Sequence, residues 1–328
     1  MNTKILAIIA IVIITSGLGV YGVFELTKPQ NQHLIVSTTT SLYETGFLDV
    51  LKTEFESEYS HINVSFISQG TGLAIQTAKR GDADMILVHD AVRELAFLED
   101  GYGVNRKVIA YNFFVIVGPE SDPAQIIDMS PVEALVQLKE VGEVGAIQWV
   151  SRGDDSGTHA KEKRLWIAAG FDAAELSTES WYIEAGSGMT ATLKLTDEKA
   201  NAYTMCDMGS YLNNYANGNI ELEVVVEEGS DTLNVYSAIA NNPEKEELVT
   251  ANFDATMKFI NFLVSDKVQS ILGDFGTEDF GRTLFNPYIP LLENDPASDL
   301  VQWIQELAYF NGTECPVAYR HNSANLYN

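Results

Sequence analysis

Three segments of the sequence combine hydroxyl-bearing residues with an expected helix start, a combination that suits the binding of an anion. The first, residues 37–41, is a run of five Ser and Thr residues that follows a short apolar stretch. A helix N-terminus offers unpaired backbone N–H groups and a partial positive charge, which suit the acceptor oxygens of a tetrahedral oxyanion. Taken alone, the segment is better explained by an ordinary capped loop. As an anion site, it would supply donors from Thr38, Thr39, Thr40 and Ser41.

A second segment, Gln69-Gly70-Thr71-Gly72, also precedes an expected helix. Its glycines allow the backbone to approach a ligand closely, and Thr71 adds one hydroxyl. The same four residues are also typical of a plain turn. The segment therefore gains weight only beside the other two.

The third segment, residues 151–158, follows an apolar strand and carries the one arginine of the three loops, Arg152. A guanidinium is a planar fork of donors that matches the geometry of an oxyanion. Ser156, Gly157 and Thr158 would add hydroxyls and amides at the start of the next helix. Asp154 and Asp155 are unfavourable beside a dianion, so we expect them to turn away, to brace Arg152 or to cap the helix. The alternative interpretation is a surface Arg–Asp pair with a helix cap.

An enzyme is the competing class of function, because Ser156, His159 and Asp155 could form a hydrolytic trio. Helical spacing places Ser156 and His159 on one face. The sequence lacks the Gly-x-Ser-x-Gly elbow of such hydrolases, and its other histidines show no metal-ligand spacing. We therefore expect no enzyme, no resident metal and no cofactor.

Apolar periodicity predicts alternating strands and helices from residue 33 onward, the pattern of an α/β fold with parallel strands. Two β-rich runs, Tyr111–Val117 and Leu233–Ala240, predict two crossings between lobes. The prediction is a two-lobed clamshell, with residues 33–117 and 231–328 in lobe 1 and residues 118–230 in lobe 2. Such proteins hinge shut on a ligand, and the three segments would line the cleft beyond the strand ends.

Charge excludes some partners. The 328 residues include 46 acidic and 20 basic ones, for a formal charge of −26. This balance argues against nucleic acid and against docking on anionic lipid. An anion must therefore be attracted by local dipoles and a few positive groups, since the overall field repels it.

The N-terminal segment indicates export. Residues 5–24 form an uncharged, mostly apolar run after Lys4, about as long as the 20 residues that span a bilayer. The run has no clear cleavage site, which favours an uncleaved membrane anchor over a cleaved signal; residues 1–32 would then be anchor and linker. The body is predicted to lie outside the cytoplasm, at the cell surface or in the periplasm. There, Cys206 and Cys315 could pair or remain free.

With these segments in view, the sequence resembles the substrate-binding proteins of tungstate ABC transporters, in the type II periplasmic-binding-protein superfamily. The similarity covers residue 34 to the C-terminus. It is carried by Ser37–Ser41, Gly70–Gly72, Gly81–Asp84, Val88–Asp90, Gly101–Gly103, Arg106, Tyr111–Pro119, Ser151–His159, Gly186–Met189 and Asp207–Tyr211.

The resemblance implies that one unhydrated tungstate, or molybdate, is held by the hydroxyl-rich loop and the arginine loop. It also implies a membrane permease and a cytoplasmic ATPase as partners, and we expect a monomer. One stretch departs from the family pattern: Tyr-Thr-Leu-Thr-Asp-Arg-Gly is replaced by Tyr203-Thr-Met-Cys-Asp-Met-Gly209. Any role of the missing Thr and Arg is therefore in doubt.

Phosphate is the alternative ligand. Arg followed by Ser-Gly-Thr also suits phosphate, which keeps a proton near neutral pH and rewards a carboxylate acceptor such as Asp154 or Asp155. Tungstate carries no proton and gains nothing from a carboxylate.

Overall fold

A continuous sheet organises the described part of the chain, which in this computed structural model comprises residues 30–227, 229–248, 251–323 and 325–327. The main path of the sheet is β2-β1-β3-β9-β4-β7-β5-β6, and β8 and β10 pair with β4. The strands in the described ranges are β1 (Gln32–Thr39), β2 (Ile62–Gln69), β3 (Met85–Val88), β4 (Gly103–Gly118), β5 (Gln148–Ser151), β6 (Tyr182–Glu184), β7 (Ala202–Asp207), β8 (Glu223–Val226), β9 (Leu233–Asn241) and β10 (Asn286–Pro287).

Helices cover the sheet, as the alternating pattern predicts. In the described ranges they are α1 (Thr40–Glu44), α2 (Phe47–Glu58), α3 (Thr71–Lys79), α4 (Ala91–Glu99), α5 (Pro131–Glu143), α6 (Gly157–Ala168), α7 (Ala173–Leu176), α8 (Met189–Asp197), α9 (Met208–Ala216), α10 (Phe253–Leu263), α11 (Asp266–Asp274), α12 (Thr277–Phe280), α13 (Tyr288–Asn294) and α14 (Asp299–Ala308).

The long strand β4 joins two groups of strands. We call β2, β1, β3 and β9 half-sheet A, and β7, β5 and β6 half-sheet B. Pairing of β4 with β9 ends at Phe113, and its pairing with β7 begins at Phe114. One uninterrupted strand therefore passes from half-sheet A to half-sheet B. Each half has its own apolar core: half-sheet A packs around Phe55 and Phe259, and half-sheet B packs around Trp149 and Trp166.

Strand directions are only partly those expected. Strand β1 is parallel to β2 and β3, and β5 is parallel to β6 and β7, as alternation with helices predicts. Strand β9 is antiparallel to β3 and β4, and β7 is antiparallel to β4. The sheet is therefore mixed: β4 follows β3 through helix α4 and runs in the same direction, whereas β9 follows β8 without an α-helix between them and runs opposite to β3 and β4.

Two predictions concern the N-terminal apolar run and the two cysteines. The apolar run at residues 5–24 lies outside the described residues. Within the ranges that are described, no helix combines the length and hydropathy needed to cross a bilayer. Cys206 and Cys315 are buried and free, so the structure leaves the pairing unformed.

Candidate anion-binding site

The three predicted segments all lie where a strand ends and a helix begins. Strand β1 ends at Thr39 and α1 starts at the next residue, while β2 ends at Gln69 and α3 starts at Thr71. Thr39 and Gln69 are opposite each other in the parallel β1–β2 pair, so the first two loops are neighbours. The third loop follows β5 and leads into α6 from the other half-sheet.

The first loop uses part of its hydroxyl set for its own structure. The Thr38 hydroxyl donates to the carbonyl of Leu87 at 2.9 Å, which gives its only hydrogen an acceptor within the protein. Thr39 caps α1 by accepting the backbone N–H of Leu42 at 3.4 Å, and its hydroxyl lies 3.4 Å from that of Ser41. The first loop is therefore a rigid frame on which Thr40 is the hydroxyl that faces Arg152.

Arg152 joins the two half-sheets. Its side chain is 1% exposed, and Nη2 donates to Asp154 Oδ2 and, at 3.4 Å, to the hydroxyl of Thr40. Its Nε and Nη1 are buried and have no hydrogen-bond partner among the described residues. A buried donor without a partner costs about 1–3 kcal/mol, and more when it is charged, so this guanidinium has unused capacity to bind an acceptor.

Asp154 has the bracing role that the sequence allowed. While one of its oxygens accepts from Arg152, the other accepts the backbone N–H of Ser156 at 3.2 Å. Ser156 in turn caps α6 by accepting the N–H of His159 at 3.1 Å. The carboxylate thus fixes the guanidinium and the helix start relative to each other.

The second and third loops meet directly. A Cβ added to Gly157 would lie 2.9 Å from the Thr71 hydroxyl and 2.7 Å from Cε1 of His89, so only glycine permits this approach. The hydroxyls of Thr71 and Thr158 are both buried and without a hydrogen-bond partner in the described ranges. Unused hydroxyls from opposite half-sheets therefore lie at the same junction as Arg152's loop.

Helix dipoles add to this positive character. Gly70 is the N-cap of α3 and supplies no side-chain cap, so the first N–H groups of that helix are open to another acceptor. The N-terminus of α6 contacts Thr71, so two helix starts converge. Each carries about half a positive charge, which favours an anion even in a chain of net charge −26.

His89 closes one side of the junction as a neutral residue. Its Nδ1 lies 2.8 Å from Oδ1 of Asn234, and its ring centroid is 5.0 Å from that of Tyr236. Burial lowers the pKa of His89, more than Asp207 and the other neighbouring groups raise it. A neutral imidazole leaves Arg152 as the charged donor of the junction.

The third loop is positioned by a buried carboxylate behind it. Glu162 on α6 accepts from the indole of Trp149 at 2.8 Å, from the hydroxyl of Ser151 at 2.9 Å and from the phenol of Tyr182 at 2.6 Å. Strands β5 and β6 and helix α6 are thereby held together. The backbone at Arg152, which directly follows β5, is therefore held in a fixed position.

The hydrolytic trio is not assembled. His159 Nδ1 accepts the backbone N–H of Asp155 at 3.2 Å, and the Ser156 hydroxyl accepts a backbone N–H as a helix cap. The imidazole therefore faces the main chain and not the serine oxygen that it would have to deprotonate. In the part of the chain that is described, no cluster of three or more His, Cys, Asp or Glu side chains suits a metal ion.

His89 and Arg93 are not among the site residues that the sequence predicts. Arg93 donates from Nη1 to the carbonyl oxygen of Asp155 at 2.9 Å and from Nη2 to its carboxylate. Both missed residues follow β3, at the same edge of half-sheet A as the first two loops. The rule that ligands lie beyond the carboxyl ends of strands would have pointed to them, although they lack a run of hydroxyls.

Comparison with known proteins adds a family. A family model described as a PBP superfamily domain matches residues 26–267. The tungstate-binding protein TupA of Peptoclostridium acidaminophilum is 38% identical over 264 residues, which cover 80% of this chain and 88% of that protein. A putative ABC transporter anion-binding protein of Haloferax volcanii is 43% identical over 78% of this chain and 72% of its own length. Among solved structures, the tungstate-binding protein TupA of Desulfovibrio alaskensis G20 matches with a TM-score of 0.66 and 36% identity, over 78% of this chain and 99% of that one.

Proposed function

We propose that this chain, which belongs to the TupA family of tungstate-binding proteins within the PBP superfamily, captures tungstate outside the cytoplasm and delivers it to an ABC importer. The ligand would lie between the two half-sheets, with Arg152 as the charged clamp. Thr40, Thr71 and Thr158 would donate hydroxyls, while Thr39, Ser41, Ser156 and Gly157 would position these groups or donate backbone N–H. Thr38 belongs to the frame of the site in this proposal.

One observation carries the proposal. At the junction of the three loops, four buried donor atoms lack a hydrogen-bond partner among the described residues: Nε and Nη1 of Arg152 and the hydroxyls of Thr71 and Thr158. Buried polar groups are normally hydrogen-bonded, and these four come from loops that meet across the two half-sheets. A tetrahedral anion with four acceptor oxygens satisfies such a set, whereas an uncharged ligand would leave the guanidinium uncompensated.

The state of the carboxylates favours an anion without protons. Both oxygens of Asp154 already accept hydrogen bonds, from Arg152 and from the N–H of Ser156. Asp155 is paired with Arg93. A hydrogen phosphate would have to share these oxygens with their present partners to find an acceptor for its proton. Tungstate, and molybdate of the same charge and shape, need no such acceptor.

We also propose how the site opens and where the protein resides. Lobe 1 (residues 33–117 and 231–328) and lobe 2 (residues 118–230) would hinge about β4 and β9, since β4 passes from one half-sheet to the other. The apolar residues 5–24 would anchor the body at the outer face of the membrane, where the permease and its ATPase receive the anion. The protein would act as a monomer.

Calorimetric titration of the purified chain with tungstate, molybdate, sulfate and phosphate tests the proposal. We expect tight binding of one tungstate per chain, comparable binding of molybdate and much weaker binding of the other two. Preferred binding of phosphate would replace the proposal by the alternative. Absence of heat with all four anions, confirmed by an unchanged unfolding temperature, would reject oxyanion binding.

A further inference from the structure

A second set of charges spans the two half-sheets beside the anion site. It consists of Asp90 and Arg93 from the start of α4, and of Asp155 and Arg164 from the third loop and α6. Of these four residues, the sequence suggests only Asp155 as a ligand contact, and only for phosphate. We propose that they form a latch, in which Arg93 is a positioning residue that holds the anion loop shut and sets how long the ligand stays bound. This inference rests on the proposed function.

The central contact of the latch is made by Arg93 to Asp155. Its Nη1 donates to the carbonyl oxygen of Asp155 at 2.9 Å, and its Nη2 donates to the carboxylate of the same residue. One planar guanidinium therefore grips both the main chain and the side chain of a single residue, which fixes orientation as well as distance. The Arg93 side chain is 27% exposed and that of Asp155 is 62% exposed, so water screens the charge pair from the Asp155 side, while the hydrogen bond to the main chain adds to it.

The contact between Arg93 and Asp155 affects the anion site because of the conformation and position of Asp155. Its φ is 57°, a left-handed conformation that costs energy in a residue with a Cβ. It stands between Asp154, which braces Arg152, and Ser156, which caps α6. A contact that stabilises the strained residue therefore stabilises the positions of the charged clamp and the helix start on either side.

Close packing shows that the grip belongs to the closed arrangement. A Cβ on Gly72 of α3 would lie 2.3 Å from Oδ2 of Asp155 and 3.2 Å from Nη1 of Arg93. Gly72 in half-sheet A thus makes room for a side chain that arrives from half-sheet B. If the two half-sheets separate, Asp155 leaves this notch and the Arg93 contact is lost.

The other pair of the latch joins helix α6 itself to the start of α4. Arg164, two turns along α6, donates from Nη1 to Oδ1 of Asp90 at 3.2 Å, and Nε of Arg93 lies 3.5 Å from Oδ2. The Asp90 side chain is fully buried and also caps α4. Asp90 therefore holds Arg93 in place while it pairs with α6. The two contacts, one in the loop that leads into α6 and one two turns along that helix, resist both translation and rotation of α6.

The latch predicts a kinetic effect without contact to the ligand. Because the pairs form only after closure, the Arg93→Ala substitution should leave the association rate of tungstate within about twofold and raise its dissociation rate roughly fivefold to thirtyfold. Arg93→Lys, which keeps the charge but lacks the fork, should restore part of the difference. Asp155→Asn keeps the left-handed preference and an acceptor oxygen, so its effect should be smaller than that of Arg93→Ala.

The experiment follows tungsten retained by the full chain after rapid gel filtration, measured by mass spectrometry, together with stopped-flow association rates. Arg80→Ala is the matched control, because Arg80 pairs with Asp82 on the surface of half-sheet A alone. Faster loss of tungsten from Arg93→Ala than from Arg80→Ala, with unchanged association, supports the latch.

Three results would contradict it, and they are distinguishable. If the wild-type chain retains tungsten and Arg93→Ala releases it at the wild-type rate, the latch is wrong and the proposed function stands. If the wild-type chain captures no oxyanion, the proposed function fails and the latch fails with it. If Arg93→Ala and Arg93→Lys both change the association rate of tungstate as much as its dissociation rate, Arg93 has a general structural role instead.

Discussion

Among the described residues, two arginines are almost fully buried, and they differ in how many of their donors have partners in the protein. Arg106 is 0% exposed, and each of its three side-chain nitrogens lies within 2.8 Å of an oxygen of Glu94 or Glu314. Its guanidinium also stacks over Phe310 at 4.7 Å. Arg152 is 1% exposed, yet only one of its three nitrogens has a protein partner in the described ranges.

In the proposed function, this difference predicts that Arg106 is a structural charge and Arg152 a binding charge. Burying an ion is costly unless it is paired and its hydrogen bonds are made. Arg106 donates hydrogen bonds from Nε and Nη1 and forms an ion pair with Glu94, and only its Nη2 lacks hydrogen-bond geometry. A buried arginine with unused donors beside two helix starts has been desolvated before the ligand arrives. Arg106 should therefore matter for stability, and Arg152 for affinity.

The largest expected effect is on the Arg106 side. Arg106→Ala should lower the free energy of unfolding by about 3–5 kcal/mol, because it leaves the carboxylate of Glu94 buried without its partner. Burial raises the pKa of Glu94 more than Arg106 lowers it, so the charged carboxylate is already disfavoured before its partner is removed. Urea denaturation measures the loss. A change below about 1 kcal/mol would show that the two arginines are not different in kind.

On the other side of the comparison, Arg152→Ala should weaken tungstate binding by about 2–5 kcal/mol in calorimetry. Its unfolding free energy should fall less than that of Arg106→Ala, because Asp154 is 17% exposed and can be hydrated. A loss of stability equal to that of Arg106→Ala, with affinity reduced less than tenfold, would assign Arg152 to the fold.

The same contrast exists between two buried threonines. Thr71→Val should cost about 1.5–3 kcal/mol of binding, as for a lost hydrogen bond to a charged group, with no loss of unliganded stability since its hydroxyl has no partner in the described ranges. Thr38→Val should cost about 1 kcal/mol of stability because its hydroxyl bonds to the Leu87 carbonyl. Equal binding losses for the two variants would remove the distinction.

The smallest effect concerns pH. Burial lowers the pKa of His89 in the folded state below the ordinary 6.5. As pH falls below 6.5, the unfolded chain binds a proton that folded His89 resists, so stability falls, by at most about 1.4 kcal/mol per pH unit. His89→Asn should make the loss of unfolding free energy between pH 7 and pH 5 shallower. Identical slopes for variant and wild type would show that His89 does not titrate as its burial predicts.

Local elements were largely predictable from the sequence. The helices expected after the second and third segments are α3, which begins at Thr71, and α6, which begins at Gly157, because the N-cap residues Gly70 and Ser156 mark both starts. Helix α9 was missed, since Met208–Ala216 contains Gly and two Asn residues that disfavour helix. Strand β4 was expected to begin at Tyr111 but begins at Gly103, and its pairing with β9 depends on contacts across the chain.

The loops of the candidate site could be predicted, but not the partners of their residues. Hydroxyls, glycines and Arg152 at strand ends are local signals. The use of the Thr38 hydroxyl by Leu87 and the pairing of Arg93 with Asp155 join residues 49 and 62 positions apart. No local pattern encodes such pairs, because they depend on how β1, β3 and the two half-sheets come together.

The measurement that tests the central claim most directly is an anomalous-difference map at the tungsten edge, from crystals of the chain grown with tungstate. We predict a single strong peak between the half-sheets, in hydrogen-bond contact with the guanidinium of Arg152 and the hydroxyls of Thr71 and Thr158. A tungsten peak elsewhere, or one at the junction with Arg152 turned away from it, would contradict the account.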